Sequence, residues 1–131
     1  MKKLGILNSD IAKCLADLGH TDQIVIGDAG LPIPEGVKKI DLAIALSEPA
    51  FIRVFDEVLK DMEVEKVVLA EEIKQQNASQ YEAISERLDN QEVAFVSHED
   101  FKQLTKNAKA IIRTGEATPY SNIILQAGVI F

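Results

Sequence analysis

A single cysteine, Cys14, is the only thiol in 131 residues. One thiol cannot staple the chain internally, and a zinc site wants several ligands at close spacing, so disulfide scaffolds and structural zinc modules are excluded. No apolar run approaches the ~18 residues that a membrane-spanning helix needs. Positive charge is scarce: 14 Lys and Arg stand against 21 Asp and Glu, a formal net charge of −7. That surface repels phosphate backbones and no dense basic cluster overrides it, so nucleic acid is a poor partner. The Gly-Lys-Ser/Thr and Gly-x-Gly-x-x-Gly nucleotide loops are missing, and so is a Gly-x-Ser-x-Gly nucleophile elbow. Internal repeats and linkers are absent. The first ten residues have a basic flank without a sustained apolar core, which does not read as a signal peptide, and a cytoplasmic protein is expected. Asn77-Ala78-Ser79 matches the glycosylation sequon by chance on that view.

What is present is ordinary globular composition, 47% hydrophobic and 27% charged, enough for one domain over residues 1–131. Ile11, Cys14, Leu15 and Leu18 recur at helical spacing, which predicts a helix over 9–18 that ends at Gly19. Further helices are predicted from Pro49 to about Lys60, over 79–88, and from the capping-box-like Ser97-His98-Glu99-Asp100 to about Thr105. Apolar runs predict strands over 23–27, 39–46, 65–70, 93–96, 110–113 and 123–130. The alternation predicts an α/β domain with a central mixed or mostly parallel sheet flanked by helices. Ile123-Ile124-Leu125 and Val129-Ile130-Phe131 read either as a core strand or as part of a contact surface.

Few residues can do chemistry. His20 follows a helix C-terminus, where the dipole favours a protonated imidazole; His98 sits in the first turn of a helix, where the dipole favours a neutral one. Each could equally be a solvated helix-end residue. Asp28 and His98 both follow a predicted strand directly, where ligand crevices form in α/β sheets, although Asp28 could be a simple turn residue. The polar connection 113–122 carries Tyr120 and Asn122 two residues apart, on one face if the chain is extended. A phenol and an amide there suit a polyhydroxylated ligand, and the alternative is a plain polar loop. Cys14 reads as core packing.

Taken together, five segments carry a resemblance over the whole chain: Lys3-x-Gly-Ile-Leu-Asn8, Gly19-His20-x-Asp22, Gly27-Asp-Ala-Gly-Leu-Pro-Ile-Pro34, Ser97-His98-Glu-x-Phe101, and Arg113-Thr-Gly-Glu-x-Thr-Pro-Tyr120-x-Asn122. The chain resembles the ribose pyranase and fucose mutarotase family. The resemblance implies His20 as proton donor and Asp28, His98, Tyr120, Ser121 and Asn122 as sugar contacts. It implies D-ribose as substrate, interconversion of its pyranose and furanose forms by acid/base ring opening, and supply of the furanose to a ribose kinase. It implies no cofactor and no metal, and a ring-shaped homo-oligomer, pentamers paired into decamers. On this view Asp28 orients His20 or a sugar hydroxyl. His20 precedes the strand that Asp28 follows, so if both touch one sugar, either that strand is shorter and bent or the two come from neighbouring chains, as the family's ring assembly would allow. A fucose-type mutarotase and a non-catalytic sugar-binding regulatory module stay as alternatives, as does an acidic scaffold without a pocket.

Overall fold

Six strands form one sheet in the computed structural model, which describes Met1–Phe131. They are β1 (Gln23–Gly27), β2 (Lys38–Asp41), β3 (Val64–Ala70), β4 (Glu92–Val96), β5 (Ala110–Arg113) and β6 (Ile123–Ala127), in the spatial order β2-β5-β1-β6-β3-β4. Every pairing is parallel except the two made by β6, which runs antiparallel to β1 and β3. The helices are α1 (Ser9–Asp17), α2 (Phe51–Asp61), α3 (Ile73–Gln76), α4 (Ala78–Arg87) and α5 (His98–Leu104). The mixed, helix-flanked sheet is the predicted class. None of the helices is long and apolar enough to cross a membrane.

Both faces of β1 are covered, which is why Ile24-Val25-Ile26 reads as a continuous apolar run rather than an alternating one. Ile24 and Ile26 join Phe51, Phe55 and Val58 of α2 in the larger core. Val25 joins Phe101 of α5 and Ile111 in the smaller one on the opposite face. Cys14 packs against the larger core, as its place in the apolar stripe predicts.

Three boundaries move by more than one residue. The strand expected over 39–46 stops at Asp41, because it pairs only with β5, whose ladder ends at Arg113. The chain then turns, leaving Ile44 and Leu46 85% and 75% exposed. The strand expected to reach Ile130 ends at Ala127. Ile123, Ile124 and Leu125 are ordinary core, whereas Ile130 and Phe131 stand exposed beyond them. Pro49 precedes α2 instead of opening it. Ala50 is the N-cap and offers no side-chain acceptor. A distant carboxylate takes that role: Glu116 Oε1 accepts from Phe51 N at 3.0 Å. Helix α3 escapes the sequence reading because a single turn is too short to show a period.

Gly115 decides how the loop before β6 sits. A Cβ there would lie 2.5 Å from the carbonyl oxygens of Ala45 and Glu48. Only glycine lets the 42–49 turn pack onto this backbone, where Ser47 N donates to Gly115 O.

Candidate active site

Because β6 opposes β1 with Ile123 facing Ile26, the residue before β6 meets the residue after β1. Those residues are Asn122 and Asp28. Asp28 N donates to Asn122 Oδ1 at 2.8 Å, and Asn122 Nδ2 donates back to Asp28 Oδ2 at 3.0 Å. The other carboxylate oxygen accepts from Gly30 N at 3.0 Å. Burial pushes the Asp28 carboxyl above its ordinary value, while the Gly30 and Asn122 donors and a nearby His98 pull it back only in part.

The predicted strand-end location of His98 holds. It opens α5, whose N-cap Ser97 accepts from Asp100 N at 3.1 Å. Both oxygens of Glu72 accept from His98 N at 3.0 Å. The imidazole meets Tyr120 edge-on, ring centroids 5.1 Å apart at 82°, and its Nδ1 is buried without a partner.

The segment 120–122 is not extended as expected. Tyr120 takes the left-handed conformation, φ 58°, and Asn122 N donates to Tyr120 O at 2.9 Å. Tyr120 therefore turns to His98 while Asn122 turns to Asp28. Ser121 is fully buried, its hydroxyl held by Asn77 Nδ2 at 3.2 Å and Gln80 Nε2 at 3.0 Å. The Asn77 amide also donates to Thr118 Oγ1 and Pro119 O, so the sequon asparagine is a buried brace for this loop.

His20 lies apart from this cluster. It sits two residues beyond the C-cap Leu18 of α1, at the other end of β1, a strand about 16 Å long at ~3.3 Å per residue. Asp28 does not orient it within the chain. Instead His20 Nε2 is 2.8 Å from Glu65 Oε2, and Gln126 Nε2 donates to Glu65 Oε1 at 2.8 Å. The hydrogen bonds from Gln126 and His20 hold the Glu65 carboxyl below the usual carboxylate range. The structure thus brings together Asp28, His98, Tyr120, Ser121 and Asn122, and leaves His20 at the opposite rim of the sheet. The sequence marks Asn77 only as a chance sequon, and it does not mark Glu65, Glu72 or Gln126 at all. Their one signal is polarity beside apolar strands, which names no partner.

The Asp28–Asn122 pair gives a direct expectation. Asn122→Ala leaves a buried N–H and a half-buried carboxylate short of partners, a cost of about 1–3 kcal/mol in stability. The folded Asp28 carboxyl already lies above its unfolded value, so its contribution is full below the unfolded value and is lost as pH rises through the folded one. Losing an amide donor to the anion raises the folded value further, so the deficit of the variant grows as pH rises through that window. Urea denaturation on the two sides of the titration checks this, and an equal deficit on both sides refutes it.

A family model described as the RbsD / FucU transport protein family matches residues 1–130. The D-ribose pyranase of Staphylococcus haemolyticus is 61% identical and that of Bacillus cytotoxicus 60%, each over the full length of both chains. Among solved structures, Bacillus subtilis RbsD complexed with D-ribose superimposes with a TM-score of 0.98 at 57% identity, covering both chains completely. A fucose mutarotase from Streptococcus pneumoniae in complex with L-fucose gives a TM-score of 0.78 at 26% identity over 95% of each chain.

Proposed function

The chain belongs to the RbsD / FucU transport protein family, and on that premise we propose that it is an isomerase that interconverts the pyranose and furanose forms of D-ribose. The full-length likeness to ribose pyranases carries this reading, since the fucose mutarotase is far more distant. The reaction is redox-neutral. The anomeric hydroxyl gives up its proton, the bond from C1 to the ring oxygen breaks, and that oxygen takes a proton. The open aldehyde rotates, the C4 hydroxyl attacks C1, and the two proton movements run in reverse. Acid and base each supply typically ~10²–10⁴-fold.

His20 is the acid at the ring oxygen. Asp28, fixed by Asn122, accepts from sugar hydroxyls, and the perpendicular His98 and Tyr120 form the wall beside it. Ser121 holds the loop in shape from below. With His20 a strand's length from Asp28, the working site takes the acid from one subunit and the sugar contacts from the next. A ring of five, paired into a decamer, supplies such contacts. Exposed Leu4, Leu7, Ile44, Leu46, Ile130 and Phe131 are apolar surface that an assembly would cover. The same reading puts the enzyme in the cytoplasm, where a lone thiol such as Cys14 stays reduced, and makes a ribose kinase the consumer of its furanose.

NMR exchange spectroscopy of several aldoses with and without the protein is the test. Added protein should speed exchange between ribopyranose and ribofuranose signals. Acceleration of fucose alone, or sugar binding without faster exchange, overturns the assignment.

A further inference from the structure

Glu65 occupies an irregular place in the sheet. Along β3 and β6, Val64 faces Ala127 and Lys66 faces Gln126, so two steps on β3 match one on β6 and Glu65 is the extra residue. Such bulges interrupt the ladder and re-aim a side chain. Here the re-aimed carboxylate reaches His20 Nε2 at 2.8 Å with one oxygen and takes Gln126 Nε2 at 2.8 Å with the other. Gln126 is itself steadied, its Oε1 accepting from Gln23 Nε2 at 3.1 Å. Gly128 lies alongside, and a Cβ there would stand 3.2 Å from the Glu65 Cβ. Both carboxylate oxygens are therefore committed.

We propose that Glu65 is the positioning residue of the acid: it accepts His20 Nε2–H, fixes the ring, and leaves Nδ1 as the nitrogen that passes the proton to the sugar. This rests on the reading of His20 as acid. An imidazole has two nitrogens, and the one bound to a carboxylate sets the tautomer and orientation of the other. A Glu65 that stays ionised is suited to stabilising the imidazolium before it gives up its proton. Glu65 touches no reacting atom on this account, so its loss should slow turnover without weakening the hold on ribose.

The test compares Glu65→Ala and Glu65→Gln with the unaltered protein. Turnover at saturating ribose should fall about 10–100-fold in the alanine variant and less in the glutamine variant, which can still accept a hydrogen bond, while KM stays unchanged. In the unaltered protein, 15N-edited spectra of neutral His20 should show the Nε2–H tautomer, its proton shifted downfield by the carboxylate, and the alanine variant should lose that shift. The positioning role is overturned by unchanged turnover in both variants, by a loss that appears in KM alone, or by an Nδ1–H tautomer. The His20→Ala variant separates the two ideas. If it is inactive while Glu65→Ala is fully active, only the role of Glu65 fails; if it keeps its activity, the acid assignment fails and takes this one with it.

Discussion

His20→Ala is expected to abolish protein-catalysed exchange between ribopyranose and ribofuranose, a loss of ~10²-fold or more in turnover, as for removal of a general acid. The fold should survive. The side chain is 52% exposed and belongs to neither core cluster, so alanine leaves no cavity. Ribose affinity should change little if the sugar is held by the Asp28 and His98 side of the site. Rate measured by saturation transfer and affinity by calorimetry on the same preparation separate the two effects. A folded variant with near-normal exchange removes His20 from the mechanism. A variant that has lost both binding and exchange assigns His20 to holding the sugar.

Mixing two inactive variants should bring activity back. On the proposed roles, chains carrying His20→Ala keep the Asp28 side of the site, and chains carrying Asp28→Ala keep the acid. If each site joins one chain's acid to its neighbour's pocket, random assembly of equal amounts leaves about a quarter of the contacts with both groups intact. Activity should then rise from background to about a quarter of the original. The prediction follows from the length of β1, which separates the two groups in one chain. Once subunit exchange is confirmed by mass spectrometry of tagged chains, a mixture as inactive as its parents refutes the shared site.

Local signals carried most of the architecture. The apolar stripe of α1, the Ser97 cap of α5 and the buried run of β1 each sit within a few neighbouring residues, and the structure places all three as read. Asp28 and His98 at strand ends were legible for the same reason. The rest depended on strand order. That Asn122 would turn to Asp28 follows only from β6 lying antiparallel beside β1. Glu65 needs both that neighbour relation and a one-residue slip in pairing, neither of which leaves a trace within a short window. The exposed Ile44 and Leu46 misled because hydrophobicity marks what is covered without saying whether the cover is the same chain.

Glu116 has a consequence for how firmly the loop bearing Tyr120 is held. Its Oε1 starts α2 at Phe51, its Oε2 takes Thr118 Oγ1 at 2.9 Å, and its carbonyl takes Ala29 N at 2.9 Å. Burial raises this carboxyl, but the donors outweigh burial and keep it ionised below the ordinary range. One residue therefore ties together a helix that packs on the central strand, the turn bearing Asp28 and the loop bearing Tyr120. Swinging the loop away would unfasten the helix start, so the loop belongs to the same cooperative unit as the core and not to the easily frayed fraction of the molecule. Amides of Ala29, Phe51 and Thr118 should exchange with solvent deuterium at a common rate set by that shared opening. On the proposed binding beside Asp28 and Tyr120, sugar meets walls that are already ordered, and little of its interaction energy is diverted to freezing a mobile flap.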